Sequence, residues 1–150
     1  MDRYWRRPEE SELALEGGWL HTGDLGSIDT EGFLFLNGRK SSLIVSGGIN
    51  VYPNEIEDVL RLHPAVQDCA VIGVADDEWG EAVVAAICIS GNELSPSLDS
   101  ELTAWCSTRL AAYRRPKRYL VLDDLPRTAS GKTSIRELRV LVADKLAASL

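Results

Sequence analysis

The chain has 150 residues, of which 45% are hydrophobic and 26% charged, and its formal net charge is −7. That length fits one domain, or one domain plus a short extra segment, and buries a core without disulfides or metals. The acidic balance excludes general nucleic-acid binding, which needs a basic face.

No apolar run approaches the ~18 residues of a membrane span, and the start, MDRYWRRPEE, has no signal-peptide pattern. His21 and His63 stand alone, so no metal site is expected. Cys69, Cys88 and Cys106 are odd in number, lack a C-x-x-C pair and sit among apolar residues. They are expected as buried, reduced thiols, which predicts a cytoplasmic protein.

Along the chain, residues 1–18 are polar and offer one short helix, PEESELALE, with Pro8 at its start. Residues 19–45 predict short strands and tight turns: Trp19-Leu20-His21, Gly26 to Asp29, Phe33 to Leu36 and Leu43 to Val45. Asn37-Gly38 is a hairpin-turn signal. Ser46-Gly47-Gly48-Ile49-Asn50 predicts a flexible or unusually folded loop, its glycine pair indicating positive φ or close approach of a ligand to the backbone. Pro53 to Leu60 carries a helical stripe of Ile56, Val59 and Leu60. Val66–Ala75 and Ala82–Ser90 predict strands, linked by Asp76 to Glu81. A helix is expected from Ser95-Pro96 to about Leu110, a strand over Tyr119–Leu122, and a last helix over Ile135–Leu146. The predicted class is α+β: a small hairpin region, then a compact domain with a small, about three-stranded sheet covered by helices.

Three loops carry candidate chemistry. In Thr22-Gly23-Asp24 a carboxylate on a glycine turn suits a diol such as ribose, or an ordinary Asx turn. The segment from Gly38-Arg39 to Glu57 offers an arginine fork for phosphate or carboxylate, with a glycine pair that admits a ligand to the backbone; its plain alternative is a surface Arg and a bulge. Pro126-Arg127-Thr128-Ala129-Ser130-Gly131-Lys132 presents a cation after small residues. It ends like a phosphate-gripping loop, but that spacing needs glycine where Pro126 stands, so by itself it reads as a surface loop.

Taken together and in order, these motifs resemble the C-terminal motifs of the adenylate-forming superfamily, which includes acyl-CoA synthetases, aryl-CoA ligases, luciferases and peptide-synthetase adenylation domains. The resemblance runs from Tyr4-Trp5-Arg6-Arg7-Pro8-Glu9 through Gly18 to Leu25 and on to Leu138-Arg139. It implies a ligase that uses ATP with Mg²⁺ to form an acyl-adenylate from a carboxylic acid, then passes the acyl group to coenzyme A. It also implies roles. Asp24 holds the ribose of the nucleotide and Arg39 contacts the nucleotide. Ser41 stands at the hinge, where Asp or Lys is common, and Ser42 follows where Asp is frequent. Gly47 and Gly48 line the pantetheine path. Tyr113, Arg115 and Lys117 meet the nucleotide end of coenzyme A. Lys132 is the catalytic lysine of adenylation.

By the same resemblance, residues 1–38 are the C-terminal edge of a large N-terminal domain, 39–45 a hinge region, and 46–150 a mobile C-terminal domain. The phosphate-gripping loop, adenine site and acid pocket would lie in that large domain, the chain's main partner, and a fragment without it is expected to be inactive. Two alternatives are a peptide-synthetase adenylation fragment and a freestanding, non-catalytic partner or CoA-binding module. Against the first, Ile44 to Pro53 resembles the acyl- and aryl-CoA ligase form; the peptide-synthetase form is usually more basic there.

Overall fold

The computed structural model describes residues 1–89 and 97–148. The chain divides into two compact units, 1–41 and 42–150.

The first unit holds helix α1 (Pro8–Ala14) and a two-stranded antiparallel hairpin, β1 (Asp24–Ile28) with β2 (Leu34–Arg39). Pro8 opens α1, where its missing N–H costs nothing. Ser11 is buried in this helix; its Oγ accepts the Tyr4 N–H (2.8 Å) and donates to the Arg7 carbonyl (2.5 Å). Trp19-Leu20-His21, expected as a strand, forms none.

Asn37-Gly38 does not make the hairpin turn either. The turn is at Asp29, whose Oδ1 accepts the N–H groups of Glu31 and Phe33, both at 2.9 Å. That Asx geometry satisfies the turn locally. Asn37 becomes the extra residue of a bulge inside β2, since Leu25 pairs with Gly38 and Gly26 with Leu36.

The second unit is built on one five-stranded sheet, larger than the three strands expected. Strands β3 (Ile44–Ser46), β4 (Ile49–Val51), β5 (Val66–Asp76), β6 (Gly80–Ile89) and β7 (Arg118–Val121) compose it. The order is β4-β3-β6-β5, with β7 also on β6; β6–β7 is the parallel pair and the other pairs are antiparallel. The two additional strands are β3, which matches the strand expected at Leu43 to Val45, and β4, which the glycine turn folds back onto it at the sheet edge.

Helices α2 (Pro53–Arg61), α3 (Leu98–Ser107) and α4 (Ile135–Ala147) cover the sheet. Ser90 and the expected start of α3 at Ser95-Pro96 lie outside the described residues.

Alternate residues of β5 and β6 enter two cores. Cys69, Val71, Val83, Ala85 and Ile87 pack with Ile56 and Leu60 of α2 and Leu102 and Cys106 of α3. Ala70, Ile72, Val84, Ala86 and Cys88 pack with Leu122, Leu125, and Leu138 and Val142 of α4. This two-sided burial explains why Ala82 to Cys88 is unbroken apolar sequence rather than an alternating one. All three cysteines are buried and free. Burial pushes the Cys69 thiol up to about 12, and it raises Cys88 and Cys106 as well. Among the described residues no helix is long and apolar enough to cross a membrane.

Leu102 is fully buried beneath the sheet. Leu102→Ala is expected to cost about 3 kcal/mol, read as a lower midpoint in urea denaturation with an unchanged slope.

Candidate functional sites

In the first unit, Asp24 opens β1 and Arg39 closes β2, directly opposite in the ladder. Arg39 Nε donates to Asp24 Oδ1 at 3.0 Å, with the arginine side chain two-thirds exposed. The Asp24 N–H is held by Thr22 Oγ1 at 3.1 Å, and the Lys40 N–H by the Gly23 carbonyl at 2.8 Å. A pair this open contributes little to stability, about 0.2–1 kcal/mol. A carboxylate has about four lone-pair positions, so one arginine nitrogen leaves Asp24 most of its accepting capacity. Ser41 is exposed and is the last residue of this unit.

In the second unit, Gly47 and Gly48 form the two-residue turn between β3 and β4, with φ of 58° and 78°. Two consecutive positive φ values define the turn that matches strand twist, and glycine takes them without strain. The two glycines differ in surroundings. A Cβ on Gly47 would lie 3.1 Å from the Trp79 ring, whereas one on Gly48 would meet nothing. The Gly47 N–H also donates to the Trp79 carbonyl at 2.8 Å.

Trp79 carries a second contact: the Lys117 ammonium lies 4.2 Å from its ring centroid. Thus Gly47 and Lys117, 70 positions apart in sequence, meet across one indole. Tyr113 is partly exposed, with the Arg114 guanidinium 5.4 Å from its ring. Arg114 is anchored in turn by Glu55 at 2.7 Å. Arg115 is committed elsewhere: its Nε and one terminal nitrogen each donate at 3.0 Å to the carbonyls of Leu110 and Ser107, closing the end of α3. Of the three residues expected to act together here, Tyr113 and Lys117 are presented outward, while Arg115 is mainly a helix clasp.

Lys132 sits on a closed loop. Its carbonyl accepts the Thr128 N–H (2.8 Å) and Oγ1 (3.1 Å), Gly131 N–H donates to the Thr128 carbonyl (2.8 Å), and Arg127 bridges to Thr133. Gly131 takes φ of 81° to make the turn. Lys132 is exposed, and among the described residues its ammonium has no hydrogen-bond or ion-pair partner.

The two presentations in this unit stand at opposite ends of the β5–β6 hairpin. The glycine turn attaches at Trp79-Gly80, the tip, where Gly80 pairs with Ser46 and Asp76. The Lys132 loop attaches through the ion pair of Arg127 with Asp68, at the open end. From Asp68 to Asp76 the strand advances about 26 Å at roughly 3.3 Å per residue.

A family model for the AMP-binding enzyme C-terminal domain matches residues 55–132. The chain belongs to this family. The matched span contains Trp79, Tyr113, Arg115, Lys117 and Lys132 of the AMP-binding C-terminal domain; Asp24, Arg39, Ser41, Gly47 and Gly48 precede it. The 2-succinylbenzoate–CoA ligase of Bacillus cereus is 45% identical over 141 residues, covering 94% of this chain and 28% of that protein. Among solved structures, the Bacillus subtilis o-succinylbenzoate CoA synthetase bound to the acyl-adenylate OSB-AMP aligns with a TM-score of 0.84. Its identity is 44%, over 93% of this chain and 28% of that one. The anthranilate CoA ligase AuaEII in complex with anthranoyl-AMP aligns with a TM-score of 0.86 and 39% identity, over 99% of this chain and 29% of that one. The chain therefore spans little more than a quarter of the length of these relatives.

Trp79 escaped the sequence reading, where it sat in a plain link between strands. Its signal was only a tryptophan beside Gly80 in a polar turn. Glu81 escaped too: its Oε2 accepts the Val45 N–H at 2.7 Å and fastens the β3 edge.

The two glycines should separate strain from contact. Gly48→Ala is expected to cost about 1 kcal/mol through its left-handed backbone alone, and Gly47→Ala about 2 kcal/mol because the Trp79 ring must also give way. Urea denaturation measures both, and only Gly47→Ala should shift tryptophan emission in the native state.

Proposed function

We propose that this chain is the C-terminal region of an AMP-forming acid–CoA ligase. Residues 1–38 are the edge of a large nucleotide- and acid-binding domain, 39–45 the hinge region with Ser41 as pivot, and 46–150 the moving domain. The overall reaction converts acid and ATP to acyl-AMP and pyrophosphate, then acyl-AMP and coenzyme A to acyl-CoA and AMP. The carrying observation is the placement of Lys132 and the Gly47–Gly48 turn at opposite ends of one doubly buried hairpin. Two ends about 26 Å apart cannot serve one reacting centre at once, but a rotation presents them in turn. The relatives' own names favour a CoA ligase over a peptide synthetase.

In the first half-reaction Lys132 delivers its charge where carboxylate and phosphate oxygens crowd together. A placed cation there lowers the barrier by offsetting developing negative charge. Its exposed, unpaired ammonium suits that task. Asp24 accepts the ribose hydroxyls, and Arg39 both steadies Asp24 and faces the nucleotide. Mg²⁺ accompanies ATP through its phosphate oxygens; no residue of this chain is assigned to it, since among the described residues no three ligating side chains stand together. The Bacillus subtilis relative is also solved with ATP and a magnesium ion, at a TM-score of 0.79 and 44% identity over 89% of this chain and 27% of that one.

In the second half-reaction the Gly47–Gly48 turn lines the pantetheine arm, where a side chain would obstruct the thiol. Trp79 walls this turn. Tyr113 and Lys117 receive the adenine and phosphates of coenzyme A by stacking and charge, with Arg115 holding their segment against α3.

Two outcomes check this reading. Lys132→Ala in the full-length ligase is expected to slow adenylation on the order of 100- to 1,000-fold and to leave thioester formation from supplied acyl-adenylate nearly unchanged; equal slowing of both steps would sink the assignment. The isolated 150 residues are expected to show no ATP–pyrophosphate exchange, and measurable exchange overturns the division of labour.

A further inference from the structure

The Lys132 loop is closed by its own hydrogen bonds. A separate contact ties it to the sheet. One terminal nitrogen of Arg127 pairs with Asp68 Oδ2 on β5, 59 residues earlier, and the other donates to the Gly131 carbonyl at 3.4 Å. Gly131 is the residue immediately before Lys132. The guanidinium therefore links the peptide that carries Lys132 to the central hairpin of the sheet.

The sheet end of this link is itself held. Asp68 lies at the register irregularity near the start of β5, pairs with Cys88 of β6, and accepts the Cys69 N–H at 2.8 Å through its other oxygen. The loop end is held by Leu125, buried in the second core, and by the Ser134 N–H on the Pro126 carbonyl at 2.8 Å. Between these two bases the Arg127 fork spans from Asp68 to the Gly131 carbonyl.

We propose that Arg127 and Asp68 are positioning residues for Lys132, a strut that holds the ammonium in place for adenylation. This rests on the reading of Lys132 given above. The pair is partly exposed on both sides, where an ion pair adds little to stability, so its effect is geometric. A planar fork with two aligned donors makes both contacts together, and a lysine ammonium on a flexible stem does not reproduce that geometry. Asp68 also neutralises Arg127, so Lys132 is left as the loop's free cation among the described residues.

The test uses the full-length ligase with Arg127→Gln, Arg127→Lys, Asp68→Asn and the Arg127→Gln/Asp68→Asn double variant, beside Lys132→Ala. Adenylation is followed by pyrophosphate release at saturating substrates, and thioester formation from supplied acyl-adenylate. Each single variant is expected to lower kcat for adenylation on the order of 10- to 100-fold, as misplacing a catalytic group by about 1 Å does, with thioester formation and the thermal midpoint near those of the parent. The double variant should be no slower than the worse single one, the signature of one shared interaction, and Arg127→Lys should not rescue.

If Lys132→Ala slows adenylation selectively while Arg127→Gln and Asp68→Asn run at parental rates, the strut is overturned and the reading of Lys132 stands. A loss on Arg127→Gln with none on Asp68→Asn also overturns it, since Arg127 would then act on the substrates directly. Equal loss of both half-reactions in the strut variants marks a merely structural role and overturns it. Without selective loss in Lys132→Ala, the functional reading falls and the strut falls with it.

Discussion

The second unit depends on burial of both faces of the β5–β6 hairpin. Val71, Val83, Ala85 and Ile87 face α2 and α3, while Ala70, Ile72, Val84 and Ala86 face α4. Fully burying one Val or Ile side chain is worth about 1.5–3 kcal/mol, so this pair of strands carries most of the unit's order. With helices covering both faces, the hairpin's two ends are left to carry the loops that hold the candidate site residues. The glycine turn and the Lys132 loop are fastened to those two ends. Rigidity between them follows from the same packing, because a close-packed strand pair cannot bend one end toward the other without opening both cores.

At each end a cation is used in two ways. Arginine does the fastening: Arg114 on Glu55, Arg115 on the Ser107 and Leu110 carbonyls at and just past the end of α3, Arg127 on Asp68. Lysine is kept for presentation: Lys117 over an indole and Lys132 in the open. The chemistry of the two side chains accounts for this. The guanidinium fork fixes direction through several donors, whereas the ammonium is a compact charge on a mobile stem. A count of basic residues between Arg109 and Lys117 could not separate these uses, since the difference lies in which carbonyls and carboxylates stand opposite.

Sequence reasoning read the α+β class, the helices of the second unit, the long strand pair and the positive φ at Gly47 and Gly48. It failed at Trp19-Leu20-His21, which forms no strand, and at Asn37-Gly38, where the Asx geometry of Asp29 claimed the turn. It undercounted the sheet: the strand read at Leu43 to Val45 is β3 but was placed with the hairpin region, and β4 was missed, because it is a strand only by pairing with β3. It passed over Trp79, whose importance rests on Gly47 and Lys117 arriving from distant positions.

Features that depend on near neighbours were legible in the residues alone: helical stripes, turn glycines, apolar strands and a lysine on a small-residue loop. These are set within a few residues by backbone sterics and side-chain periodicity. Which of those pieces meet was settled by the fold: Gly47 with Lys117 across Trp79, and Arg127 with Asp68. Such meetings follow from strand register and helix placement, and a one-residue slip in register would reverse which face each strand side chain occupies.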